Sequence, residues 1–311
     1  MLDITTLRLS YSSYNGSYQS CERKFEFSKL YPHTEDQEIS LDGETGHALH
    51  VGYQSWLMER DRDKALEAMM FRYPIGLCSN PVKPKSLEAC FASLNQMIDS
   101  GIFLEYEIAT IKCPDGVIRK AVEVPFQINI NNFSLSDTKL IKVIYVGIID
   151  VILYNTLTDE YIVTDIKTTR WDLPDYSVMY NFDSQCLPYA MILERILGHK
   201  LNHLNVDYLV CYIDILKPKA LRYSFDKTSE DIRDWARTLL VDLTNMKTFY
   251  NMKWFPRRSK SCIAFNKPCR FYDICHSRDP ETITEWFLMG KEPMKEKEFI
   301  PWFTMDLELV A

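Results

Sequence analysis

At 311 residues, with 46% hydrophobic and 25% charged side chains, the chain has ample apolar material for a core of ordinary size. No run of about 18 apolar residues is free of charge, which argues against a membrane span, and the N-terminus lacks the apolar stretch of a secretory leader, so the cytoplasm is the expected compartment. A formal net charge of −7 gives no sign of a nucleic-acid partner when the chain is taken as a whole.

In chain order, aromatic and apolar positions Tyr14, Tyr18, Cys21, Phe25 and Leu30 predict a helix over 12–30. Further helices are expected over about 46–67 and 85–107, separated by Asn80-Pro81 and Pro84. The pattern then changes period. Val122, Val124, Phe126, Ile128 and Ile130 alternate as in a half-buried strand, and residues 143–167 read as a β-hairpin turning at Asn155-Thr156-Leu157-Thr158-Asp159. A helix over 183–197, strands near 206–216 and 221–225, a helix over 228–250 and a mixed tail complete the chain. This order predicts an α/β core with a helical N-terminal portion and a C-terminal extension.

Asp165 and Lys167 stand two residues apart in a predicted strand, so both leave the same face, with Ile162, Thr164 and Ile166 on the other. Asp150 ends the apolar run Gly147-Ile148-Ile149, where an ionised carboxylate is costly unless paired or bound to a cation. A hairpin brings Asp150 beside the strand of Asp165. Two close carboxylates suit a hard divalent cation with oxygen ligands, which can activate water, and the Lys167 ammonium can offset charge at a reacting phosphate. A bare Asp-x-Lys reads first as a structural ion pair on an exposed strand, and only Asp150, fifteen residues upstream, brings the catalytic reading level with it.

Cys262, Cys269 and Cys275 fall within fourteen residues, a soft-ligand cluster suited to zinc or iron–sulfur, either of which takes four sulfur ligands. Cys78, Cys90, Cys113, Cys186 and Cys211 read as small buried hydrophobes. Between residues 251 and 275, Lys253, Arg257, Arg258, Lys260, Lys267 and Arg270 face only Asp273, a basic stretch that serves phosphate binding or is merely a solvated loop.

Gly147-Ile148-Ile149-Asp150 followed by Thr164-Asp165-Ile166-Lys167 resembles the core of the PD-(D/E)xK nuclease superfamily, in particular its RecB-like exonuclease branch. Gly46-His47-Ala48-Leu49-His50 is similar to that branch's upstream G-x-x-x-H, and Gln185-Cys186-Leu187-Pro188-Tyr189 to its downstream Q-x-x-x-Y. Tyr11-Ser12-Ser13-Tyr14 before Cys21-Glu22-Arg23-Lys24-Phe25 resembles its opening segment. These elements lie in the family's order over about 265 residues.

The resemblance implies a restriction-endonuclease-like α/β core with a mixed central sheet flanked by helices. Residues 1–110 would form the helical portion, 111–250 the core, and 251–311 the cysteine cluster and tail, all in one compact unit. It implies a DNA exonuclease using Mg²⁺ or Mn²⁺ held by His50, Asp150, Asp165 and the Ile166 carbonyl, with Lys167 beside the attacking water. Gln185 and Tyr189 would contact DNA, as Arg257, Arg258 and Lys260 would from the basic stretch, and Glu123 is a further candidate at the site. Members of the AddB, CRISPR-adaptation and phage-exonuclease type carry a [4Fe–4S] cluster on one cysteine before the core and three after it, which implies Cys21 with Cys262, Cys269 and Cys275. The six-residue gap after Cys262 is wider than the common pattern, and zinc is the alternative occupant. The expected partner is DNA, as a single strand or a duplex end, in a bacterial or phage-encoded setting that can include a helicase or a recombination or replication partner. A non-catalytic DNA-binding or assembly subunit keeping the same fold is the competing function.

Overall fold

The computed structural model describes residues 4–31, 41–74, 85–169, 177–201, 204–264, 267–289, 291 and 298–309. The expected break at Asn80, Pro81 and Pro84, together with Cys78 and the Lys267 side chain, lies outside the described residues.

In chain order the elements are β1 (Thr6–Leu9), α1 (Tyr11–Ser13) running into a π-helical turn (Tyr14–Tyr18), α2 (Glu22–Leu30), α3 (Leu41–Glu59), α4 (Arg62–Arg72) and α5 (Leu87–Asp99). Strands β2 (Glu107–Ile108), β3 (Thr110–Lys112), β4 (Ile118–Lys120), β5 (Val122–Asn131), β6 (Lys142–Asn155) and β7 (Glu160–Thr169) follow. Then come α6 (Ser177–Asn181), α7 (Cys186–Leu197), β8 (Leu204–Tyr212), β9 (Lys219–Lys227), α8 (Ser229–Asn251), β10 (Ile263–Ala264), β11 (Lys267–Pro268), α9 (Pro280–Leu288) and β12 (Phe303–Glu308). The class is the expected α/β: helices accompany a mixed sheet ordered β12-β5-β6-β7-β8-β9, with β1 and β2 also paired to β6. Among the described residues no helix is long and apolar enough to cross a membrane.

The chain divides into two units, one of residues 1–37, 126–147 and 234–311, the other of residues 38–125 and 148–233. In the first, β1 pairs in parallel with the start of β6, and β12 in parallel with β5 from Phe303↔Phe126 to Glu308↔Asn131. Gly147 is required here: a Cβ on it would stand 2.5 Å from the Phe126 ring, so any side chain would displace a fully buried aromatic. A second core in this unit joins Phe27 and Tyr31 of the N-terminal stretch to Phe271, Ile274, Ile283 and Phe287, with Cys269 and Cys275 packed against it.

In the second unit, β6 and β7 form the predicted antiparallel hairpin, closed by Asn155, whose Oδ1 accepts from the N–H groups of Leu157 and Thr158. β8 runs parallel to β7, as a strand that returns through a helix must, and β9 pairs antiparallel with β8. Ala48, Leu49 and Tyr53 of α3 and Leu94 and Met97 of α5 pack with Val151, Leu153, Ile162 and Ile166 into the main core.

Element boundaries move where local polar chemistry overrides hydrophobic period. The single helix expected over 46–67 is two, because Asp61 caps α4 by accepting from the N–H groups of Asp63 and Lys64, while Arg60 takes a left-handed φ of 54°. The helix expected to reach residue 107 stops at Asp99, where Gly101 turns the chain at φ 68°. The helix expected over 12–30 is broken at Cys21, whose extended backbone precedes α2.

Candidate active site

The hairpin ladder pairs Asn155↔Glu160 through Val151↔Thr164. One step further, the Asp150 carboxylate enters: its Oδ2 accepts the Ile166 N–H at 2.8 Å. A side chain thus takes a donor that a strand neighbour would otherwise use, and Asp150 is fixed against the strand that carries Asp165 and Lys167. Ile162 and Ile166 join the core with α3 and α5, while Asp165 and Lys167 meet α7, which is the predicted division of faces. Lys167 Nζ lies 2.6 Å from Asp165 Oδ2.

Helix α3 supplies a stripe at four-residue spacing, Gly46, His50 and Gln54. Gly46 lets the helix approach β7 closely, since a Cβ there would stand 2.9 Å from Thr168 Oγ1. His50 Nδ1 is 3.5 Å from Asp150 Oδ2. Gln54 donates through Nε2 to Glu123 Oε1 at 2.6 Å and to the Asp150 carbonyl at 3.2 Å. Glu123 sits in a left-handed conformation, φ 48°, inside β5, a backbone cost that its side chain's place beside this site accompanies. Gln54 is absent from the sequence-based candidates. Its signal was its position one turn after His50, which has meaning only once α3 is known to face the sheet.

Helix α7 closes the site from the other side. Gln185 Oε1 accepts from Lys167 Nζ at 2.7 Å, and Nε2 donates to Asp165 Oδ1 at 2.7 Å and to the Tyr189 hydroxyl at 3.1 Å. Both ends of the amide are therefore occupied within the protein, and Gln185 acts here on the charged pair. Pro188, awkward inside a helix, is harmless because α7 begins at Cys186 and first-turn N–H groups have no partner within the helix.

The electrostatics follow from burial. Burial pushes Asp165 up to about 6 against the lowering pull of Lys167, with Asp150 adding to the rise. At 1% exposure for its side chain, that rise corresponds to about 3 kcal/mol against ionisation. Asp150 is pushed up to about 7 by burial, opposed by the Ile166 N–H and Lys167 and reinforced by Glu123. Its side chain keeps 15% exposure, so water screens part of this shift. Burial also lowers His50 to about 4, which leaves its ring neutral and one ring nitrogen available as a ligand at neutral pH. Burial works against the Lys167 ammonium, but the two aspartates outweigh it and hold it charged above the ordinary lysine range.

With Asp150, Asp165 and Glu123 ionised, one ammonium leaves two negative charges uncompensated, which is the deficit a divalent cation fills. The buried Asp165 Oδ2 faces Lys167 but makes no hydrogen bond of acceptable angle, so it retains acceptor capacity. The donors thus fit a hard cation in kind, although among the described residues no three His, Cys, Asp or Glu side chains are gathered into a coordination sphere.

The raised carboxylate pKa values give a signed expectation. A buried carboxylate that prefers its proton stabilises the fold fully below its unfolded pKa, and that contribution is lost as pH rises through the folded value. Between about pH 6 and 7 the site becomes a destabilising concentration of charge that a cation relieves. Mn²⁺ or Mg²⁺ is expected to raise the melting temperature at pH 8 and to leave it unchanged near pH 5, as read by differential scanning fluorimetry. A shift that is equal at both pH values would exclude these carboxylates as the ligands.

In the first unit, Cys21, Cys262, Cys269 and Cys275 line one cavity of about 380 Å³, together with Lys24, Phe27, Arg257, Phe271 and His276. Burial pushes the Cys275 thiol up, with Arg257 and Arg23 drawing it down. A mononuclear zinc site draws four sulfurs to about 2.3 Å from one ion and closes around it. Among the described residues these thiols are not gathered into such a coordination sphere. Of the basic residues predicted to bind phosphate, Arg257 lines this cavity and Lys260 stands exposed in a single 3₁₀ turn. Arg258 is committed to Glu22 through Nε and Nη2.

No family model matches the chain, and no curated protein matches it. Among solved structures it is similar to a candidate exonuclease from Eubacterium rectale, at 12% identity over 86% of this chain and 92% of that one, with a TM-score of 0.47. It is also similar to SSO0001, at 16% identity over 70% of this chain and 79% of that one, with a TM-score of 0.25. At these values the likeness carries no argument about chemistry, which rests on the residues gathered around Asp165.

Proposed function

We propose that this protein is a metal-dependent nuclease of the RecB-like branch, hydrolysing phosphodiester bonds of DNA from an end. The observation that carries the reading is the single constellation of Asp150, Asp165, Lys167 and Gln185 at the end of the hairpin, faced by His50. Mg²⁺ or Mn²⁺ bound by Asp150, Asp165, His50 and the Ile166 carbonyl would supply a polarised water and neutralise charge on the phosphate. The chain's own part is positional. Lys167 donates one of its three N–H groups to Gln185 and stands as an ion pair against Asp165, which leaves donor capacity to face a phosphate oxygen or the attacking water. Gln185 fixes the separation of the ammonium from the carboxylate, and Tyr189 fixes Gln185. The neutral His50 ring offers a lone pair without adding charge repulsion. In the first unit, the cavity lined by Cys21, Cys262, Cys269 and Cys275 supports a [4Fe–4S] cluster with a structural role, since phosphodiester hydrolysis transfers no electrons.

The test is digestion of end-labelled linear DNA by the full chain with Mg²⁺ or Mn²⁺, with EDTA, and with Asp165→Asn. Cleavage that needs the cation and is lost in Asp165→Asn supports the reading. Full activity of the variant, or cation-independent retention of DNA without cleavage, overturns it, the latter pointing to a binding or assembly subunit.

A further inference from the structure

Three residues before Gln185, the chain presents an aromatic ring to solvent for which the fold has no use. Phe182 is 83% exposed, with Val178 and Met179 also exposed on the short helix before it. Among the described residues Phe182 makes no ring contact, and exposed clusters of large apolar side chains mark binding surfaces more often than chance.

The segment that carries it is held firmly. α6 is only five residues long, too short to be stable alone, yet Tyr180 is buried and stacks on Tyr208 with centroids 4.5 Å apart and planes 18° apart. Lys227 donates from Nζ to the Asn181 carbonyl. Asp183 then ties the turn, its N–H donating to the Tyr180 carbonyl and its Oδ1 accepting from the Gln185 N–H at 2.9 Å. Phe182 therefore points outward from an anchored segment, and three peptide steps limit its Cα to about 11 Å from that of Gln185. That upper bound is comparable to one or two nucleotides counted from Gln185, the residue that holds Lys167.

We propose that Phe182 is the base-contacting residue of this site: its ring stacks on an unpaired nucleobase beside the scissile phosphate, so the substrate is a strand whose bases are free at the cleaved end. The inference rests on the nuclease reading and names its substrate class. Stacking suits the position because every base offers a π face, so an aromatic residue there grips a strand regardless of sequence, and a base still paired in a duplex cannot present that face.

The experiment measures steady-state cleavage by the full-length protein with Mg²⁺, on single strands, on blunt duplexes, and on single strands with an abasic position near either end. Phe182→Ala is expected to raise KM on single strands by about tenfold with a smaller change in kcat, and Phe182→Trp to restore it. The wild type should show a comparable rise on abasic ends, and Phe182→Ala with an abasic end should show no further rise, because both remove one interaction. Circular dichroism confirms folding of each variant. An unchanged KM in Phe182→Ala, indifference to abasic ends, or a wild-type preference for blunt duplexes overturns this inference while leaving the nuclease reading intact. Absence of cleavage by the wild type on every substrate removes the nuclease reading itself.

Discussion

Replacing Lys167 with methionine is expected to lower kcat for DNA cleavage by two to three orders of magnitude, roughly the effect of deleting one donor aimed at developing charge. Methionine keeps an unbranched stem of similar length, so packing changes little. What disappears is the ammonium that Asp165 faces at 2.6 Å and that Gln185 holds at 2.7 Å. A second consequence separates this residue from an ordinary surface lysine. Asp165 already sits at about 6 with the lysine present, and without it the pKa climbs further. In the variant, stability should be close to wild type at low pH, where Asp165 is protonated in both proteins. It should fall behind as pH rises through the wild-type value, where the variant must either keep a proton on Asp165 or bury an unpaired charge. Lys167→Arg keeps a charge beside Asp165 and should recover the stability at pH 8. It should not recover kcat, because the planar guanidinium cannot occupy the compact ammonium position that Gln185 Oε1 accepts from. Urea midpoints at pH 5.5 and 8, set beside single-turnover cleavage rates, test both parts. An unchanged rate in Lys167→Met, or a stability loss independent of pH, would contradict the role assigned to the pair.

The site was legible in sequence where a local rule fixed geometry. Two-residue spacing put Asp165 and Lys167 on one face, and turn chemistry at Asn155 set the hairpin that brings Asp150 to Ile166. Spacing could not say what Gln185 does. A glutamine at the start of a helix reads equally as a substrate contact or as a brace, and only the bonds to Lys167 and Asp165 show it braced between them. Gln54 was invisible for a related reason, since its partners Glu123 and the Asp150 carbonyl lie on other elements.

The fold was legible in the same uneven way. Long β-branched runs announced β6 and β7, but β1 and β12 were missed. Each is four to six residues long and gains its structure by pairing with a distant strand, β1 at Lys142–Tyr145 and β12 at Phe126–Asn131. Such pairings close loops of 136 residues (Thr6 to Lys142) and 177 residues (Phe126 to Phe303), about which a short window carries no information. Arg258 shows what a run of like charges leaves out. Its place in a basic run suggested phosphate, and spacing gave no sign that Nε and Nη2 also donate to Glu22, 236 residues away.

Cys275→Ser is expected to strip the chain of most of its bound metal and to lower its melting temperature sharply, whereas Cys113→Ser should leave metal content unchanged. Both residues are free thiols, but only Cys275 lines the cavity shared with Cys21, Cys262 and Cys269; Cys113 is buried elsewhere. The destabilisation has two sources. Cys275 packs against Phe27, Phe271, Ile274 and Phe287, so the serine hydroxyl enters apolar surroundings. The larger source is connectivity. A group bound at once by Cys21 and by residues 262–275 closes a loop of roughly 240 residues, and clips on long loops gain the most in principle. Structural metal sites of this kind contribute on the order of 10 kcal/mol to folding. Losing one ligand of four weakens that contribution without leaving the fold intact and empty. Anaerobic purification followed by iron, sulfide and zinc analysis and a visible spectrum reads the outcome. Iron with sulfide in the wild type, reduced in Cys275→Ser, supports a cluster filling the cavity. One zinc per chain with no sulfide would show that the four thiols close around a single ion instead. Equal metal content and melting temperature in the wild type and both variants would assign the cysteines to packing alone.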